Sequence, residues 1–91
     1  MLVHLDHTIQ IWREGGTYVA RAHPLDVMSC GESLQAARRN LEEALQLFIK
    51  VAAEQGTLDE ILHEAGYISK DQHWIAPEIL TSERISLSLS A

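Results

Sequence analysis

Leu34, Ala37, Leu41, Ala44, Leu45, Phe48, Val51 and Ala52 recur at steps of three and four, which sets them along one stripe of a single helix. This feature constrains the chain most. A helix of about 20 residues spans about 30 Å, and its stripe needs an apolar layer of similar length to lie on. Arg38, Arg39, Glu42, Glu43, Gln46 and Lys50 fall mostly off the stripe. Ser33 is placed as the N-cap and Gly56 as the stop, so the helix is expected to end near Glu54.

The residues before the helix supply a candidate layer. Val3, Leu5, Ile9 and Ile11 alternate with His4, Asp6, Thr8 and Gln10, the period of one half-buried strand, although His7 falls on the apolar side. Gly15-Gly16 suits a hairpin turn that accepts positive φ. Residues 17–22 then read as a second strand with Tyr18, Ala20 and Ala22 on one face. Pro24 breaks the run, because it cannot donate to a ladder, and residues 27–30 return as a short third strand.

After the long helix, Thr57-Leu58-Asp59-Glu60 has the form of a capping box and opens a short helix ended by Gly66. Residues 69–73 read as a polar loop, and 74–80, around Pro77, as an extended surface segment. Ile85, Leu87 and Leu89 alternate with Ser86, Ser88 and Ser90, which predicts a late strand with one apolar face. An unpaired strand of that kind is an aggregation hazard, so it is expected either to rejoin the sheet or to pair between chains in a dimer or tetramer, with Ile85, Leu87 and Leu89 at the interface. The expected class is α+β: a small, mainly antiparallel sheet in the order β-β-β-α-α-β, with the long helix packed on one face. All 91 residues form one domain in this scheme, with a core over about 3–66 and a C-terminal extension over about 74–91.

Charge and composition narrow the function. The net charge of −6 opposes binding through phosphate contacts, and the one adjacent basic pair, Arg38-Arg39, is followed by Glu42-Glu43. Direct nucleic-acid binding is not expected. A single cysteine forms no internal disulfide, residues 1–12 carry His4, Asp6 and His7 instead of a secretory leader pattern, and no apolar run approaches the ~20 residues of a membrane helix. The expected location is the cytoplasm.

Candidate chemistry is sparse. Cys30 lies between a short strand and the Ser33 helix, where a nucleophile can sit, but Glu32 opposes a thiolate and no base is near in sequence. It is expected to be a small buried side chain filling the corner. Asp59 and His63 share a helical face, yet two ligands fall short of the three or four that a zinc site uses. His4 and His7 point to opposite faces of a strand, and His23 and His73 fall in loops. No catalytic residue, metal or cofactor is expected.

Two surface features remain. Glu54, Asp59, Glu60 and Glu64 form an acidic run, with no Lys or Arg between Lys50 and Lys70. A basic partner would dock there, with Asp59, Glu60 and Glu64 as contacts. Of the large amphipathic residues Trp12, Tyr18, Tyr67 and Trp74, Trp74 is the expected interface residue.

Gly16-Thr17-Tyr18-Val19-Ala20, then Pro24, then Ser29-Cys30-Gly31-Glu32-Ser33, then Ala37, Asn40, Glu43 and Ala44 together resemble the HicB-type antitoxin domain. That family's pattern is a Gly-x-Tyr-x-Ala strand, a proline, a Gly-x-Ser or Gly-x-Thr turn, and a helix carrying Ala, Asn and Glu-Ala. The resemblance covers about residues 5–66. It implies a degenerate ribonuclease H-like α+β core and a non-catalytic protein that binds and occludes a small basic HicA-type ribonuclease toxin. Residues 74–91 are too few for the family's C-terminal DNA-binding domain, so the chain resembles its short, stand-alone members. The alternative expectation is an orphan domain without a toxin, serving as an oligomeric scaffold or a small-ligand binder.

Overall fold

The computed structural model describes residues 3–90; the outermost positions of the expected domain, 1, 2 and 91, lie outside them. The class is α+β. In chain order the elements are β1 (His4–Leu5), β2 (Thr8–Glu14), β3 (Thr17–His23), β4 (Val27–Gly31), α1 (Leu34–Gln55), α2 (Leu58–Glu64), β5 (Ile68–Lys70) and β6 (His73–Ile75). They build two three-stranded sheets, β2-β3-β4 and β1-β6-β5. The first is antiparallel throughout; in the second, β1 runs parallel to β6 and β5 antiparallel to it. Among the described residues no helix is long and apolar enough to cross a membrane.

The long helix forms where its period places it. Ser33, extended at φ −145°, accepts a hydrogen bond from the Ala36 N–H at 3.0 Å, and Gly56 ends the helix at φ 73°. The stripe then divides between two clusters. Ala37, Leu41 and Leu45 pack on Ala20 and Ala22 of β3, flanked by Ile9, Ile11, Tyr18 and Val27. Ala52 packs with Leu58, Leu62 and Tyr67, flanked by Leu5, Ile49 and Trp74. Alanines at the contact let the helix approach the sheet closely, and Leu25 touches both clusters.

The corner between β4 and α1 is tighter still. A Cβ on Gly31 would stand 2.6 Å from the Ala37 nitrogen and 2.8 Å from the Ala36 carbonyl carbon. Only glycine lets the strand enter the helix this closely. Asn40 Nδ2 reaches back and donates to the Cys30 carbonyl at 2.8 Å. Cys30 itself is exposed, so the expected buried filler is corrected. Strand parity is the reason: Val27, Ser29 and Gly31 face α1, and Met28 and Cys30 face away.

The expected single first strand is interrupted at Asp6-His7. The Asp6 N–H donates to the Trp74 carbonyl at 3.0 Å and the Tyr67 phenol donates to the Asp6 carbonyl at 2.6 Å, so residues 4–6 belong to the second sheet. The loop expected over 69–73 is a hairpin instead, turned by Asp71 and Gln72 at φ 53° and 64°. Two consecutive left-handed residues match the right-handed twist of short strands, even without glycine. Thr57 makes no side-chain cap; its backbone N–H stays on the Ala52 carbonyl at 3.0 Å, and its hydroxyl donates to that oxygen at 3.4 Å.

The late strand does not rejoin a sheet of its own chain. The last strand is β6, and residues 76–90 form no ladder. Ile85, Leu87 and Leu89 are 79%, 80% and 83% exposed. Alternation gave them a common face, but no strand edge of the same chain lies against them.

Candidate functional site

The short helix α2 buries Leu58 and Leu62, one turn apart, and half-buries Ile61, with its C-cap Ala65 half-buried beside it. Its remaining residues, Asp59, Glu60, His63 and Glu64, are all exposed. Asp59 and Glu60 stand in the first turn, where the helix dipole favours negative charge. Glu60 and Glu64 share one flank and Asp59 and His63 the other, by their spacing of four. None of the three acids has an ion-pair partner among the described residues. Their carboxylates are therefore open to a cationic partner.

Trp74 joins this surface from the other end of the chain. It lies in β6, half-buried against the second cluster, and its ring meets His63 edge-on with centroids 5.3 Å apart. The structure thus sets Trp74 against His63, on the flank of α2 that also carries Asp59, while Glu60 and Glu64 lie on the other flank. Ile85, Leu87 and Leu89 lie apart from them on the terminal segment, outside both clusters. Glu54, at the end of α1, lines a separate groove of about 570 Å³ with Val3, Leu5, Ile49, Lys50 and Ala53.

One arrangement escaped the sequence reading. In-register pairing of β1 with β6 sets His4 beside His73, ring centroids 6.2 Å apart, with Lys70 the cross-strand neighbour of His73. His73 Nε2 lies 2.7 Å from Asp6 Oδ1. No local spacing could have revealed a pair 67 residues apart. Both partners are about half exposed, so the pair adds only about 0–1 kcal/mol. The described residues hold no group of three or more His, Cys, Asp or Glu side chains suited to a metal ion.

No family model matches this chain, and no curated protein or solved structure matches it either.

The outer face of the first sheet is the second surface missed. Trp12, Val19 and Cys30 are cross-strand neighbours, as are Gln10, Arg21 and Met28. Arg21 donates through Nη2 to Gln10 at 2.8 Å, and its Nη1 lies 3.6 Å from Asp26. Trp12 Nε1 donates to Glu14 at 2.9 Å. Parity around the buried Ala20 and Ala22 is the sequence signal that locates this face. Cys30 sits on open sheet here, with neither base nor donor cluster among its named neighbours.

Proposed function

We propose that the chain is a non-catalytic binding protein that covers the working surface of a small basic protein, in the manner of a HicB-type antitoxin with a HicA-type ribonuclease. The observation that carries this is the exposed acidic face of α2, with Asp59, Glu60 and Glu64 unpaired among the described residues and Trp74 at its border. A negative surface on a chain of net charge −6 steers a cationic partner and fixes its orientation, while an amphipathic ring beside it supplies apolar contact. Occlusion requires no bond-making step. The partner's RNA-binding surface is basic, and the acids compete for it with phosphate.

The resemblance lends support through the corner geometry. Gly31, Ser33, Ala37 and Asn40, four of the residues that carry it, have linked structural tasks at one strand-to-helix junction.

Co-expression with a HicA-type toxin is the test. Rescue of growth and a co-purifying complex are expected, with Asp59→Lys/Glu60→Lys/Glu64→Lys abolishing both and rising salt weakening the complex. Failure of rescue and of co-purification overturns the proposal. A second reading, a small-ligand binder without a toxin, is favoured by the groove beside Val3 and Leu5, whose volume suits a small molecule. A gene lying without a small basic neighbour would favour that reading.

A further inference from the structure

We propose that two copies of this chain exchange C-terminal arms, with residues 85–89 of each lying in a groove on α1 of the other. The inference is independent of the toxin reading.

The arm is built to leave its own domain. Ala76 still packs on the second cluster, and Pro77 seats on Gly66, where an added Cβ would stand 2.9 Å from the Pro77 Cγ. Beyond Pro77 every described residue is exposed. The chain measures 50 × 30 × 22 Å with a radius of gyration of 15.6 Å. A compact chain of this length has about 12 Å. The difference lies in an arm whose Ile85, Leu87 and Leu89 are unburied.

The same chain carries a groove that fits it. Val27, Ala44, Leu47, Phe48, Val51 and Ile61 line a depression of about 420 Å³ between β4, α1 and α2. Leu47 is 61% exposed and Val51 40%, one turn apart on α1. Alternate residues of an extended segment stand about 6.7 Å apart, and helix positions four apart about 6 Å. Ile85, Leu87 and Leu89 can therefore step along the rows Ala44–Phe48 and Leu47–Val51, with Ser86, Ser88 and Ser90 and the arm's backbone turned to water.

Charge selects this groove. Residues 85–90 carry no charged side chain, and no charged residue lines this depression. The larger groove is rimmed by Glu42, Lys50 and Glu54, which a neutral arm would have to desolvate without pairing. A second copy is the occupant because each chain holds both halves of the contact, and a two-fold exchange then leaves neither exposed. The surface such an exchange covers is Ile85, Leu87 and Leu89 on the arm and the exposed Leu47 and Val51 on α1.

The test uses the full chain in sedimentation and in size-exclusion with light scattering. A dimer is expected. Ile85→Ser/Leu87→Ser/Leu89→Ser on the arm, or Leu47→Glu in the groove, should each weaken its Kd by about a hundredfold or more. Both sites are exposed, and circular dichroism confirms that each variant folds. In a Cys30→Ser background, mixing a Leu87→Cys chain with a Leu47→Cys chain should give an intermolecular disulfide that neither chain gives alone. A monomer at about 100 μM, at least the micromolar Kd of a weak complex, overturns the proposal. So does a dimer unchanged by both variants, or a Leu47→Cys/Leu87→Cys chain that closes its disulfide within one monomer. Toxin binding by an arm variant separates this surface from the acidic one.

Discussion

The Tyr67 phenol donates to the backbone carbonyl of Asp6 at 2.6 Å, joining the residue that precedes β5 to the link between β1 and β2. Tyr67 is 2% exposed, and its pKa is pushed from 10.0 to about 12, first by burial and then by the Asp6 carboxylate. The protonated phenol is thus the form the fold holds. Its contribution to stability is fully present below about pH 10 and is lost as pH rises toward about 12. Urea midpoints across that window should fall more in the wild type than in Tyr67→Phe, which itself costs about 0.5–1.5 kcal/mol at neutral pH. Equal alkaline loss in both chains would show that Tyr67 is not the titrating group.

Gly31→Ala is expected to cost about 1–3 kcal/mol or more, because the added methyl meets helix backbone that has no rotamer to change. Gly16→Ala meets nothing within 4 Å and has no positive φ to oppose it, so its effect should stay within about 0.5 kcal/mol. Urea unfolding of the two variants gives the comparison.

Asn40→Ala removes the donor to the Cys30 carbonyl at the same corner. An expected loss of about 0.5–1.5 kcal/mol should accompany faster amide exchange in the first turn of α1.

Leu41 and Leu62 are fully buried, one in each cluster. Truncation of either to Ala should cost about 2–5 kcal/mol. Because α1 runs through both clusters, each variant should shift one common transition measured by fluorescence and by far-ultraviolet circular dichroism.

Cys30 is exposed, so one thiol per chain should react with a chromogenic disulfide without denaturant. Cys30→Ser should alter stability by no more than about 0.5 kcal/mol. A thiol that reacts only after unfolding would contradict the parity of β4.

The acidic part of the candidate site could be read in advance, because Asp59, Glu60 and Glu64 lie within two turns of one helix and their outward direction follows from Leu58 and Leu62 turning in. The placement of Trp74 beside His63 could not, since it depends on β6 becoming the central strand of a sheet whose edges are β1 and β5. The pairing of Asp6 with His73 depends on the same event.

The sequence by itself determined the elements whose hydrogen bonds close locally. The stripe from Leu34 to Ala52, the cap at Ser33, the stop at Gly56 and the Gly15 turn are all set by neighbours a few residues away. Tertiary structure alone decided that residues 4–6 leave the first strand for β6, that Cys30 faces out, and that Ile85, Leu87 and Leu89 find no edge in their own chain. The physical reason is common to all three. Alternation says which side chains share a face, but a strand's ladder is completed by a partner elsewhere, and only packing of the whole chain chooses that partner.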